Sequence, residues 1–542
     1  MTDLLELALA DPERAWARAE AVVGETSDPL ELSIAHQARG IVLRDEGRST
    51  EAVAELRTAL RHAVRSGAER EADVRATYGL ALVMGGRTNA GRHQLDRAAD
   101  SATGEALAKI LMRRAFALTM LGEQGKALVD MRAALEGTRQ SGNRIWEART
   151  LTNLAHVEMA LGLLSDAERS CESARRIFDS VGLPEEALDA LPILGDLALY
   201  RGDLPRAIAI FDEMASAPGR VGYQRADIAA SRSEAYLTAG LAAEAVDVLR
   251  RLVDGQTLSP WKEADVQLAL ANARLATGDM AGALAAASEA REAFHSQHRP
   301  WFELRARLVQ VLSRHELGRR RGLARQASDV ARRLDEERAY EAPVALILAG
   351  RLATGPERAE LWEAAAAYRD RPNALVRASA WLASALVREE ADDRGGVLRA
   401  CGRGLDALDE HRRTLGSSEL RALATAHGRE LAVLALRHAA TDARTLLRWS
   451  ERWRATALAE PPVTPDGEVS TELAALRDNG RRLAQARAEG EPVEQLETER
   501  RRLERAVRAE HHRRTGGGDD ADTRLDVDRL VAEVGDRTLV EL

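Results

Sequence analysis

A glycine returns at nearly fixed intervals through the first half of the chain. Gly47, Gly86, Gly122, Gly162, Gly202, Gly240 and Gly278 are separated by 39, 36, 40, 40, 38 and 38 residues. Five residues after each stands a small residue: Ala52, Gly91, Ala127, Ala167, Ala207, Ala245 or Ala283. Such a slot suits two helices that cross closely, since a larger side chain would push them apart. The stretch Leu191 to Ala215 shows the unit whole. A first apolar-periodic run ends at the turn Tyr200-Arg201-Gly202-Asp203, and a second carries Leu204, Ala207, Ile208 and Phe211 at helical spacing. A chain built this way repeats a pair of short helices.

The pattern resembles the tetratricopeptide repeat, in which a small residue occupies position 8 of 34, glycine lies near 15, alanine at 20, a large apolar residue at 24 and a small one at 27. Gly40, Gly47, Ala52, Leu56 and Ala59 fit those slots, as do Gly79, Gly86, Leu95 and Ala98, and Gly195, Gly202, Ala207 and Phe211. The family's aromatic at position 11 is kept only as Tyr236, and Gly91 stands where alanine is usual. The extra residues beyond 34 call for longer helices or loops. The resemblance implies an all-α, right-handed superhelical solenoid with about seven repeats over residues 30–300.

Composition agrees with a helical Ala/Leu core. Hydrophobic residues make up 45% of the 542 and aromatic residues only 4%. The formal net charge of -9 disfavours direct nucleic-acid binding, which needs clustered basic charge. No run approaches the roughly 18 apolar residues of a membrane span, and the acidic start Met1-Thr2-Asp3 is not a secretory leader. Two cysteines, Cys171 and Cys401, cannot form a disulfide framework, so a reducing cytoplasm is expected.

Residues 1–29 are expected to cap the solenoid, with one amphipathic helix over residues 3 to 22 carrying Leu4, Leu5, Ala8 and Leu9 on one side. After Pro300 the repeat loosens: Gly318 and Gly355 stand at turn positions, but Leu323 and Glu360 fill the small slot. Residues 301–460 therefore read as degenerate repeats, ending on a helix with Trp449 and Trp453 on one face. Two charged helices follow within 461–515. Leu473, Leu476 and Leu483 in one, with Leu496, Leu503 and Val507 in the other, give seams for an antiparallel hairpin. Residues 516–520, Gly-Gly-Gly-Asp-Asp, make a flexible linker. A short helix through Val534, the turn Gly535-Asp536 and a strand over Thr538 to Leu542 close the sequence as a short α/β stub. A single strand is not a stable element by itself, so the chain is expected to stop just inside a further domain.

The order ELRALATAHGRELA, RWSERWRATALA, charged hairpin and LVAEVGDRTLVEL resembles the lead-in to a CHAT domain, the caspase-like cysteine peptidase module found downstream of tetratricopeptide repeats. The resemblance implies that residues 521–542 begin that module and that its catalytic His and Cys would lie beyond Leu542. It also implies that this chain is the regulatory arm of such a peptidase, with the module as a partner, or a version that lost the peptidase.

No catalytic, cofactor or metal site is read from the residues. Cys171 falls at a core position of its repeat, and Cys401 lies among apolar neighbours nearly three turns from His411. His511 and His512 point apart on a helix. The Arg-rich run 500–514 alternates with Glu499, Glu504 and Glu510, as on a solvated helix face.

What remains is the groove. In the family the first helices line a concave face and position 9 points into it. Here that series is Ile41, Leu80, Phe116, His156, Asp196, Glu234 and Asn272, with Asn153 one turn before His156. The expectation is an apolar floor in the early repeats and an acidic one in the later, suited to a protein or peptide with a basic segment. Position 5 reads Gln37, Ala76, Met112, Thr152, Pro192, Ala230 and Leu268, which lacks the lysine of the family's clamp for acidic C-terminal peptides. Two other classes stay open, the front of an active cysteine protease and the sensor arm of a transcription regulator.

Overall fold

The computed structural model describes residues 3–216, 222–255, 258, 260–415, 417–458, 471–489, 492–513 and 527–535. Two helices, α1 (Asp3–Ala10) and α2 (Pro12–Glu25), precede seven helix pairs. The pairs are α3 (Pro29–Asp45) with α4 (Ser49–Ala63), α5 (Ala68–Met84) with α6 (Thr88–Ser101), α7 (Gly104–Met120) with α8 (Gln124–Gln140), and α9 (Arg144–Ala160) with α10 (Leu164–Ser180). After the single turn α11 (Pro184–Ala187) come α12 (Leu191–Arg201) with α13 (Leu204–Ser216), α14 (Gly222–Thr238) with α15 (Ala242–Gly255), and α16 (Pro260–Thr277) with α17 (Met280–Ser296). The chain is an all-α solenoid, and its residues in excess of the 34-residue repeat go into first helices of up to 18 residues.

The turn glycines explain the regularity. All seven sit at φ between 74° and 84°, a left-handed conformation that disfavours any residue with a Cβ. The amide of the residue after each glycine donates to the carbonyl five residues back at 2.8 to 3.0 Å, as Arg48 does to Leu43 and Asp279 to Arg274. That bond satisfies a carbonyl the helix end would otherwise leave orphaned and turns the chain back onto itself.

The small slot then sets how closely the returning helix crosses. Ala52, Ala127, Ala167, Ala207, Ala245 and Ala283 are wholly buried. In the second pair both crossing residues are glycines. A Cβ on Gly91 would lie 2.6 Å from the Gly79 carbonyl oxygen and 2.6 Å from Val83 Cγ2. Second helices also pack under the next first helix, as where Leu111 and Met112 of α7, Met131 of α8 and Leu154 and Val157 of α9 share one apolar cluster.

The N-terminal cap differs from expectation. A single helix over 3 to 22 is replaced by α1 and α2, because Asp11 caps a new helix by accepting from Arg14 N at 3.1 Å and Pro12 stands in its first turn. Both halves remain apolar on one side, and Leu4, Ala8, Ala15 and Ala19 pack beneath Ile34, Ala38 and Ile41.

The chain packs as two compact units, the first holding Met1–Leu197, Ile210–Glu234 and Ala243–Arg319, the second Ala198–Ala209, Ala235–Ala242 and Arg320–Leu542. From Pro300 onward run α18 (Pro300–Glu316), α19 (Leu323–Glu336), α20 (Ala342–Leu352), α21 (Pro356–Ala366), α22 (Ala374–Glu390), α23 (Arg394–Arg413), α24 (Ser418–Ala424), α25 (Arg429–Ala439) and α26 (Ala443–Leu458). Within the second unit Trp449 and Trp453 of α26 fill the space beside Gly402 and Gly428. The charged hairpin is α27 (Thr471–Glu489) and α28 (Glu494–His512), closed over buried Leu483, Leu503 and Val507. Arg508 and His512 of α28 both reach Glu419 of α24, with Arg508 Nε at 2.9 Å and His512 Nε2 at 3.1 Å. The last described helix is α29 (Val527–Val534). The linker 516–520 and the strand over 538–542 lie outside the described residues.

The close crossing in the second pair gives a test. Gly91→Ala restores the residue usual in the repeat family, yet its methyl meets backbone that cannot turn aside. We expect a loss of about 1 to 3 kcal/mol, read as a lower urea midpoint by circular dichroism. An unchanged midpoint would show that the pair can spread.

Candidate functional site

On each first helix of the first unit, the residue seven places ahead of position 9 lies two turns back on the same face. On α3 this place holds the buried Ile34; on α5, α7, α9, α14 and α16 the residues are Asp73, Lys109, Arg149, Asp227 and Asp265. Asp73, Arg149, Asp227 and Asp265 take part in a ladder of polar contacts between repeats, and Lys109 pairs with Glu105 of its own helix at 2.7 Å. Asp73 accepts from Gln37 Nε2 at 3.1 Å, from Arg70 Nη1 at 2.8 Å and from Arg113 Nη1 at 2.7 Å. Arg149 holds Glu186 through two bonds of 3.0 Å. Lys262 Nζ meets Asp227 at 2.5 Å, and Arg299 Nη2 meets Asp265 at 2.5 Å. The rungs that cross between repeats join residues 34 to 40 apart, one repeat each.

The environment of the rungs supports their charges. Burial pushes the Asp73 carboxyl up, but Arg113 and Arg70 outweigh it and hold the group below the usual carboxylate range. Arg299 is buried with its guanidinium 4.2 Å from the rings of both Trp261 and Phe302, a stack that keeps it aimed at Asp265.

Between α12 and α14 two carboxylates come together. Asp196 faces Glu234 and Asp227, like charge against like charge, with the Ser231 hydroxyl as its hydrogen-bond partner. Burial, then Glu234, and more weakly Asp227, push the Asp196 carboxyl up to about 7 against the pull of Ser231. Asp265 is likewise raised by burial, with Asp227 adding to the effect and Arg299 and Lys262 opposing it. His156 is open to solvent but crowded by protein, and desolvation pushes its imidazole down to about 4 while Asp227 draws it up. A group of carboxylates beside a neutral imidazole is thereby set on one part of the inner face.

The eight residues expected to line the groove separate into two sets. His156 is exposed and Asn153, Asp196, Glu234 and Asn272 are half-buried, and of these His156, Asp196 and Glu234 share the acidic group through Asp227. Asn153 turns back to donate to the Arg149 carbonyl at 3.0 Å. Phe116 is 46% exposed on α7. Ile41 and Leu80 are corrections: they are 6% and 5% exposed and belong to the core. Ile41 is covered by α1 and α2, and Leu80 packs with Leu95 and Ile110. The early repeats therefore present no apolar floor beyond Phe116 but the ladder around Asp73 and Arg149.

Asp227, Asp265, Arg113, Arg149, Lys262 and Arg299 were missed by reading position 9 alone. The two-turn spacing would have found Asp227, Asp265 and Arg149. The cysteines are far from activation: burial pushes the thiols of Cys171 and Cys401 up to about 12. No described helix is long and apolar enough to cross a membrane.

No family model matches the sequence, and no curated protein matches it. Among solved structures, a tetratricopeptide repeat protein from Parabacteroides merdae is similar at a TM-score of 0.37 and 17% identity, over 52% of this chain and 99% of that one. NprR in complex with its cognate peptide NprX is similar at 0.44 and 13%, over 67% and 98%. A Rap protein complexed with competence and sporulation factor is similar at 0.34 and 12%, over 79% and 100%.

The Asp196 carboxyl is raised in the fold above its unfolded value near 4, so its contribution to stability is complete below pH 4 and is lost as pH rises through about 7. Asp196→Asn should stabilise the chain at pH 8 by about 1 to 2 kcal/mol after solvent screening. The gain should shrink toward zero near pH 4 in thermal unfolding scans. A pH-independent difference would mean that Asp196 does not carry the repulsion.

Proposed function

We propose that this chain is a sensor and scaffold that binds an extended protein segment on the first helices of its repeats, through a basic residue of that segment seated at Asp196 and Glu234, beside the Lys262–Asp227 pair. The carrying observation is that Asp196 and Glu234 set like charge against like charge between α12 and α14, where added positive charge is favoured. A lysine or arginine from a ligand supplies that charge, relieves the repulsion and is steered in by the same field. The neighbouring rungs Lys262–Asp227 and Arg299–Asp265 are already paired.

In the same reading the chain does no chemistry of its own and regulates an attached or associated CHAT-type cysteine peptidase. The C-terminal third supports this by its resemblance to the segment that precedes such a module, with α29 at the place of the module's first helix. The buried thiols support it from the other side, since a nucleophilic cysteine needs a lowered pKa.

Peptide libraries panned on the full chain test the binding half. Enriched sequences should carry Lys or Arg, lose affinity with rising salt, and bind an Asp196→Asn/Glu234→Gln variant about tenfold more weakly, roughly 1.4 kcal/mol. Enrichment without basic residues, affinity indifferent to the substitutions, or no enrichment would overturn it. For the regulatory half, an enriched peptide should alter substrate cleavage when the chain is mixed with a CHAT-type peptidase, and unaltered cleavage would remove that role.

A further inference from the structure

The chain leaves α17 through His298 at φ 56, a left-handed conformation that a residue with a Cβ rarely adopts. At the matching exits of the third and fourth pairs stand glycines, Gly142 at φ 71 and Gly182 at φ 76. The hydrogen bonds are the same in kind: Leu183 N donates to Phe178 O at 3.0 Å, and Arg299 N to Phe294 O at 2.9 Å. Glycine would therefore serve at 298 with less strain. A strained residue kept where glycine would do is a pointer to what its side chain touches.

The imidazole, its Nδ1 3.2 Å from the Ser296 carbonyl oxygen, lies beside the turn of the second pair. A Cβ on Gly86 would lie 3.3 Å from His298 Nδ1 and 3.4 Å from the Ser296 carbonyl oxygen. Gly122, Gly162 and Gly278 have the same φ and open space around them. The first unit thus winds until the turn after α5 abuts the end of α17. The residue after His298 is Arg299, which holds Asp265, and Asp265 lies within electrostatic reach of Asp227.

We propose that His298 and Gly86 form a clasp that closes the superhelical turn of the first unit and sets how far its inner face opens. His298 is exposed, so the contact is solvated and weak enough to part. Because Arg299 follows directly, charge placed beside Asp227 and Asp265 pulls on the segment that carries the clasp. One consequence rests on the function proposed above: an extended segment can lie along the closed face, whereas a folded partner must open it. The clasp itself stands without that reading, and its test needs no ligand.

His298→Gly in the full chain removes the ring and eases the backbone. The chain should stay folded while its radius of gyration by small-angle scattering grows and amide exchange over residues 83–88 quickens about fivefold. Unchanged scattering and exchange would overturn the clasp. A second comparison isolates the contact: Gly86→Ala and Gly122→Ala carry the same φ strain, but only the first pushes a methyl at His298. Gly86→Ala should lower the unfolding temperature further, or fail to fold where Gly122→Ala folds, and equal losses would overturn it. Both comparisons can fail while peptide binding to the Asp196 region persists, so the two proposals fall separately.

Discussion

Two helices whose crossing point is no wider than a methyl group hold each repeat in a single geometry. At Gly79 and Gly91 even the methyl is absent, and Val83 and Leu95 close around the backbones. Because the interior is packed to the density of a crystal, a pair so joined has little room to rotate or slide. Its remaining apolar surface can be covered only by the next pair, which is why α7, α8 and α9 share one cluster and α16, α17 and α18 another. Stability in such a chain is a sum of pairs and of interfaces between neighbours.

That division of labour leaves one face of the first helices outside the apolar packing between pairs. On it, side chains two turns apart are free to be polar, and across neighbouring repeats they pair as Asp73 with Arg113 and Asp227 with Lys262. Such partly exposed pairs contribute little each, but they fix the spacing between adjacent first helices and hence the curvature of the face. The group around Asp196 runs against this order. Like charges held together cost stability, and a fold keeps such a cost where a function offsets it.

The sequence disclosed what is local and steric. Glycine at a left-handed turn and a small residue five places on are demands of the backbone itself, and they recur whatever surrounds them. The break at Asp11-Pro12 was legible too, as a capping residue followed by a first-turn proline, but apolar spacing continues in phase on both sides and masked it. The inner face was legible only in part. Position 9 identified His156, Asp196 and Glu234, yet the same position in the first two pairs is buried by helices that periodicity alone does not place over it, α1 and α2 above Ile41 and the Leu95 and Ile110 packing above Leu80. The rungs escaped because their two ends occupy different repeat positions: Arg113 is four residues beyond Lys109, the counterpart of Asp73, and Lys262 precedes Asp265 by three. His298 and Gly86 stand 212 residues apart, and the mark of their contact was faint: a histidine where the third and fourth pairs use glycine, though Arg338 at the exit of α19 is left-handed too.

The distribution of stiffness decides how this solenoid can respond. Within a pair, movement of a few tenths of an ångström drives backbone into backbone, so the crossing cannot be the moving part. Between pairs, the inner-face rungs are polar and partly solvated, and they can lengthen or re-form at small cost. A charge delivered to Asp196 and Glu234 acts on α12 and α14, which belong to different pairs. Its effect is therefore a change in the step from one repeat to the next, not a change inside either. A small change in one step displaces distant repeats by an amount that grows with the number of repeats between them. The end of α17 lies one full winding from the turn after α5, so the clasp is where such a change in curvature is largest and where it must first be felt.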